Sequence, residues 1–269
     1  STDSYACAGG EEFLDKSCGA ILLLLTTKIP PISIEPCVAI LTSFIIRQGS
    51  NPPMLDDVFN LFLRIMGAYE MYTSAVLEQI RVLLRYPSVC NAVTNMDFSN
   101  FITSLNLSIR YQSIKLLKSL LKLGYSLTNE EDLIAAFIKV FPNTAQGHLK
   151  STLNLLVQLC NSSYIVSYVV DHNLLLYKVI DTSIPYVSVS VLNLVRVILR
   201  NGLLPLQFGF FCVLHNALST ALSLQNSKCL IVALETILDL QRAGMTMNVA
   251  ELVSNDDIAQ NSDPDVANR

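Results

Sequence analysis

Residues Val191–Gly202 read VLNLVRVILRNG, and the chain carries this twelve-residue pattern six times. Val38–Gly49 (VAILTSFIIRQG), Val76–Pro87 (VLEQIRVLLRYP), Ser113–Gly124 (SIKLLKSLLKLG), Thr152–Ser163 (TLNLLVQLCNSS) and Ala233–Gly244 (ALETILDLQRAG) align with it without gaps. The last residues of successive segments lie 38, 37, 39, 39 and 42 positions apart. Near-constant self-similarity at this period is the mark of a repeat architecture, in which each unit buries its apolar face against its neighbours.

The columns of this alignment have physical meanings. The second position holds Ala39, Leu77, Ile114, Leu153, Leu192 or Leu234, and the eighth holds Ile45, Leu83, Leu120, Leu159, Ile198 or Leu240. With Ile80, Leu117, Leu156, Val195 and Ile237 at the fifth position they form a stripe at helical spacing, which predicts one buried face per segment. Leu156 and Leu194 are expected inside the core of central repeats. The twelfth position is Gly in four of the six segments, as suits a left-handed residue closing a helix. Between these helices the sequence predicts second apolar helices at Leu55–Ile65, Asp97–Leu105, Glu131–Phe141, Asn173–Ile180 and Phe208–Ser219, with a small third one at Ser162–Asp171. Strand signals are nearly absent: Asp-Gly does not occur, and the one Asn-Gly pair, Asn201–Gly202, ends an aligned segment instead of joining two alternating runs as a hairpin turn would.

Ser162–Gly202 (SSYIVSYVVDHNLLLYKVIDTSIPYVSVSVLNLVRVILRNG) resembles an armadillo repeat: short helix, turn, second helix, a Ser/Thr-containing break, and a long helix ending in Gly. Tyr86–Gly124 resembles it nearly as well. The resemblance covers about residues 35–250 and implies an all-α, right-handed superhelical solenoid of armadillo/HEAT type with about six repeats. Its long third helices would line the concave face. The sequence departs from the best-known cargo carriers and catenins of that family, which clamp an extended peptide with a Trp and an Asn on the third helix. Here Trp is absent and the column of that Asn holds aliphatic Ile45, Leu83, Leu120, Leu159, Ile198 and Leu240, so their Asn ladder is not carried over.

The ends differ from the middle. Residues 1–10 are expected to be flexible, residues 11–253 to form a single repeat domain with a cap or half-repeat at 11–34, and Met247–Val253 to close it. Residues 254–269 (SNDDIAQNSDPDVANR) are polar, acidic and Pro-containing, which predicts a disordered tail. The start at Ser1, without a signal-peptide layout, reads as a boundary inside a longer protein.

Composition narrows the function classes. Apolar residues make up 51% of the 269 and charged residues 15%, ample for a large core. A net charge of −4 argues against nucleic acid as the main partner. A mean hydropathy of +0.45 raises the question of a membrane protein. The longest uncharged stretch, Asn201–Ser227, is interrupted by Pro205, Gln207, His215, Asn216 and Gln225, so a buried solenoid core accounts better for the hydropathy. Seven scattered cysteines, odd in number and without a tight framework, suggest a reducing compartment, cytoplasm or nucleus. The sequons at Asn106 and Asn161 are expected to be chance occurrences.

Catalytic motifs are missing from the sequence: there is no phosphate-binding loop, no Gly-x-Ser-x-Gly and no His-Glu-x-x-His. Cys212 and His215 lie three apart on one predicted helix, but two further ligands at metal-binding spacing are not found, so neither metal nor cofactor is expected. The acidic pairs Asp56–Asp57 and Glu130–Glu131 sit at helix starts, where they complement the macrodipole. An enzyme is therefore not expected.

One charged pattern stands out. Opposite the buried stripe, the tenth column carries Arg47, Arg85, Lys122, Arg200 and Arg242, the sixth adds Arg81, Lys118 and Arg196, and the third adds Lys115. Nine of the chain's 18 basic residues thus lie in these six segments, against three acidic ones, Glu78, Glu235 and Asp239. Cations in a last helical turn also complement the macrodipole by about 0.3–1 kcal/mol, which accounts for the tenth column but not for the mid-helix sixth. The expectation is a protein-interaction scaffold whose basic groove takes an acidic or phosphorylated protein segment. Asn154 and Asn193 would offer amides to its backbone. Peripheral binding to anionic lipid or RNA through the same stripe is the alternative. Reversing Arg81, Lys118 and Arg196 to Glu is expected to leave the fold intact, because like charges in one stripe repel one another.

Overall fold

The computed structural model describes residue 19 and residues 34–140, 146–160, 166–167, 170, 183–203, 208–224 and 226–245. Among the described residues there are eleven helices of defined extent and no strand. The expected elements at Asn173–Ile180 and Met247–Val253, residue Asn161, and the tail at 254–269 lie outside the described residues. So do nearly all of Glu11–Thr27 and most of Ser162–Asp171. The chain divides into two compact units, residues 1–129 and 130–269.

The first unit contains α1 (Ile34–Arg47), α2 (Leu55–Ala68), α3 (Glu70–Leu83), α4 (Pro87–Thr94), α5 (Ser99–Thr103) and α6 (Leu107–Lys122). The second contains α7 (Glu130–Val140), α8 (Gln146–Leu159), α9 (Pro185–Arg200), α10 (Phe208–Ser223) and α11 (Ser227–Arg242). All six aligned segments are thus helical, in α1, α3, α6, α8, α9 and α11. Within each unit the long helices pack in series: α3 lies against both α1 and α6, and α9 against both α8 and α11. The second helices α2 and α10 add to this layer by packing on α3 and α9 respectively. This helix-on-helix packing is consistent with a helical repeat.

Local sequence explains where the helices start and stop. Pro87 and Pro185 open α4 and α9, positions at which a missing N–H costs nothing. Asn106 and Asn226 cap α6 and α11, their side-chain oxygens accepting from Ser108 N at 2.9 Å and Lys228 N at 3.0 Å. The second aligned segment departs from the expectation. Its helix, α3, ends at Leu83, and Pro87 begins the next helix instead of closing this one.

The C-terminal glycines behave as a left-handed cap requires. Gly49, Gly124, Gly202 and Gly244 have φ of 89°, 85°, 71° and 83°. After Gly124, Gly202 and Gly244 the backbone closes with a paired set of bonds, such as Gly202 N to Leu199 O at 3.0 Å and Leu203 N to Ile198 O at 3.3 Å. These bonds satisfy carbonyls that the helix itself leaves open.

The core follows the predicted columns. Leu77, Ile80 and Leu83 of α3, and Leu117 and Leu120 of α6, are completely buried. Leu156 and Leu194 are buried as well. Ser and Thr within this apolar layer turn their hydroxyls back onto their own helices. Thr42 donates to Val38 O at 2.9 Å, Ser113 to Ile109 O at 2.8 Å and Thr236 to Val232 O at 2.6 Å. Leu234 breaks the pattern. The second column predicts it buried, yet it is 52% exposed, as are Ile231 (54%) and Leu238 (50%) on the same side of α11.

Candidate functional site

In the first unit the long helices run parallel with their ends in register. Ser74 Oγ near the start of α3 lies 2.8 Å from Ser108 Oγ near the start of α6. At the opposite end, the buried Tyr86 just after α3 donates its hydroxyl to Ile45 O and Gly49 O, both at 3.0 Å, at the end of α1. Residues that share an alignment column on α1, α3 and α6 therefore occupy matching levels on adjacent helices.

This register brings six of the predicted site residues into one basic face. Arg47 and Lys122 are exposed as the last residues of α1 and α6 and Arg85 is exposed in the turn just after α3, while Arg81, Lys115 and Lys118 are half-buried on α3 and α6. Two of these cations rest on aromatic rings, Arg85 at 5.6 Å from the Tyr86 centroid and Lys115 at 4.0 Å from that of Tyr111. Arg81 reaches Glu78 at 3.8 Å, a loose pair one turn apart on a half-exposed surface. Its Nε is buried without a hydrogen-bond acceptor. A buried guanidinium donor left open is costly and marks a place where an acceptor would be gained.

The second unit arranges its share of the stripe differently. Asn154 on α8 and Asn193 on α9 are half-buried at the third column. Arg196 and Arg200 of α9 and Arg242 of α11 converge on a single carboxylate, that of Asp239, which is only 6% exposed. Asp239 Oδ2 accepts from Arg196 Nε and Arg200 Nε, each at 3.2 Å, and Oδ1 from Arg242 Nη1 at 3.3 Å. Arg196 also pairs through Nη1 with Glu235. The expectation of mutual repulsion along the whole stripe is thereby corrected at Arg196. This residue is 13% exposed between two carboxylates of its own chain, so a Glu there would face like charges and weaken the fold.

Sequence reasoning counted Asp239 only as one of three acids and missed it as the hub. A signal was present. The seventh column otherwise reads Phe44, Val82, Ser119, Gln158 and Val197, so a carboxylate there is out of place. It also stands one turn after Glu235 and one turn before Arg242.

Among the described residues no group of three or more His, Cys, Asp or Glu side chains is placed to hold a metal ion. Burial pushes the Cys160 thiol up to about 12 and raises that of Cys90, which donates to Leu84 O at 3.0 Å. Such thiols are poor nucleophiles. Among the described residues no helix is long and apolar enough to cross a membrane. No family model matches the chain, and neither does any curated protein or solved structure.

Proposed function

We propose that this chain is an armadillo-type superhelical scaffold for protein–protein interaction, and that the basic face of α1, α3 and α6 receives an acidic or phosphorylated protein segment. The observation that carries this reading is the gathering of Arg47, Arg81, Lys115, Lys118 and Lys122 on three serially packed helices, with Arg85 in the turn after α3, where Glu78 is the one acidic member of their shared columns. In a superhelix of that type the long helices line the concave face, and side chains at equal levels form a row. An extended carboxylate- or phosphate-bearing chain laid across such a row gains charge-assisted hydrogen bonds. Within the second unit, Asn154 and Asn193 present amides of their own, suited to a peptide backbone. A net charge of −4 for the whole chain disfavours long polyanions such as RNA, which would meet acidic surface beyond the face.

The experiment is a salt titration of the full chain with a fluorescent oligoglutamate peptide, its phosphoserine counterpart, an RNA oligomer and anionic vesicles. The acidic or phosphorylated peptide should bind with an affinity that falls as salt rises. Joint reversal of the exposed Arg47, Arg85 and Lys122 to Glu should remove binding while preserving the helical circular dichroism spectrum. Peptide affinity unchanged by the reversal, or binding of RNA or vesicles without binding of either peptide, overturns the proposal.

A further inference from the structure

We propose that the groove between the C-terminal ends of α9 and α11 is a binding site for a carboxylate carried on an apolar body. The groove has a volume of about 350 Å³ and is walled by Leu199, Gly202, Leu203 and Ala243, with Arg200, Arg242 and Asp239 set into it. It lies wholly in the second unit and stands independently of the basic face of α1, α3 and α6.

Two guanidiniums flank the groove with donors to spare. Arg200 is 58% exposed and spends only its Nε on Asp239, and Arg242 is 77% exposed and spends only one Nη. Among the described residues the remaining N–H groups of both have no acceptor. Asp239 holds both side chains by hydrogen bonds, so part of their ordering is already accomplished before a ligand arrives. The buried Arg196 is committed to Asp239 and Glu235 and takes no part.

The local charge selects the class of ligand. Three guanidiniums face two carboxylates, Glu235 and Asp239, which leaves the cluster one positive charge in excess. A single carboxylate neutralises that excess and matches the fork of an arginine, whereas a phosphate dianion would over-compensate it. Helix C-termini repel anions, but here the closing bonds from Gly202, Leu203, Gly244 and Met245 already occupy the last carbonyls. Leu199, Leu203 and Ala243 offer apolar surface to whatever bears the carboxylate. A C-terminal residue and an acidic side chain of a peptide share this chemistry.

The test uses the full chain with isotope-labelled arginine, followed by NMR of the Nε–H signals. The probes are N-acetyl-leucine, its amide, a C-terminally amidated peptide containing one Glu, and inorganic phosphate. N-acetyl-leucine or the Glu peptide should shift the Arg200 and Arg242 signals saturably, and which of them does so identifies the source of the carboxylate. The neutral amide should do nothing, and phosphate should bind at least about tenfold more weakly. Arg200→Ala should weaken the saturable shift of the Arg242 signal at least about tenfold, and Arg242→Ala that of the Arg200 signal. Ala243→Glu keeps every arginine but places a carboxylate at the groove, and should block the probes as well. Shifts of equal size with the amide, tighter binding of phosphate, or probe binding unchanged by A243E would each overturn the proposal. A Glu-bearing probe can engage both sites, so oligoglutamate binding at Arg47, Arg85 and Lys122 is also read in the Arg200→Ala/Arg242→Ala double variant, and failure of one site is then distinguishable from failure of the other.

Discussion

Asp239 of α11 accepts a hydrogen bond from Arg196 Nε of α9 at 3.2 Å, and both side chains are almost fully withdrawn from water, at 6% and 13% exposure. Their residues lie 43 positions apart in the chain. A charge pair this buried contributes less than it would cost to break, since removing one partner strands the other in a poorly solvated place. Asp239→Ala should therefore lower the unfolding free energy by about 3 kcal/mol. Glu235→Ala removes a carboxylate that is 47% exposed and should cost less than about 1 kcal/mol. Urea denaturation of the two variants checks the contrast, and equal losses would show that burial does not set it.

Tyr86 ties the end of α3 to the end of α1 through its hydroxyl, which is shared between two carbonyls. Tyr86→Phe keeps the ring and leaves those carbonyls without this donor, for an expected loss of about 1–2 kcal/mol. A thermal unfolding curve unchanged by the substitution would mean that water replaces the hydroxyl at no cost.

Gly124 and Gly202 close α6 and α9 at φ of 85° and 71°, and a Cβ built on either meets nothing within 4 Å. The cost of alanine there is purely conformational, about 1 kcal/mol at each site and additive across the two units. Circular dichroism melts of the single and double variants measure it. A loss much larger than this would require a steric clash that the open space does not contain.

Cys160 provides a pH dependence whose sign is determined. Its thiol is raised by burial from an ordinary 9.0 to about 12. Above pH 9 the unfolded chain releases a proton that the folded chain retains, so the stability attached to this group is complete below pH 9 and declines toward pH 12. Cys160→Ala should remove that decline, so that the stability difference between wild type and variant shrinks with rising pH by up to about 1.4 kcal/mol per unit. Parallel pH profiles for the two proteins would contradict it. Under native conditions iodoacetamide should label the exposed Cys212 well before Cys160, as peptide mapping would show.

Much of the fold was legible because it depends on near neighbours in the chain. The buried positions of α3 and α6 follow from apolar residues three and four apart. The helix ends follow from glycine's access to left-handed backbone, and Asn106 caps α6 through a contact only two residues long. Legibility failed where a residue's environment is supplied by residues distant in the chain. Leu234 obeys the helical periodicity of its segment, but periodicity fixes which residues share a face and not whether that face is covered: Leu234 is 52% exposed. Pro87 is a helix breaker in either role; only its position relative to Tyr86 and α4 shows that it opens a helix.

The candidate site divides along the same line. The sequence by itself determined which residues face away from the core, because 3.6 residues per turn place the third, sixth and tenth positions of each segment on one side. It thereby placed nine cations on that side of five of the six segments. Only the tertiary structure decided which of those cations already have counter-charges. A salt bridge within one helix depends on spacing alone, as with Arg242 and Asp239, three residues apart. The bridges from Arg196 and Arg200 to Asp239 span 43 and 39 residues and exist because α9 and α11 pack side by side in register. Electrostatic energy falls with distance in space and not along the chain, so identical columns acquire opposite surroundings: one loose acidic partner near α3, and a buried carboxylate shared by three arginines at α11.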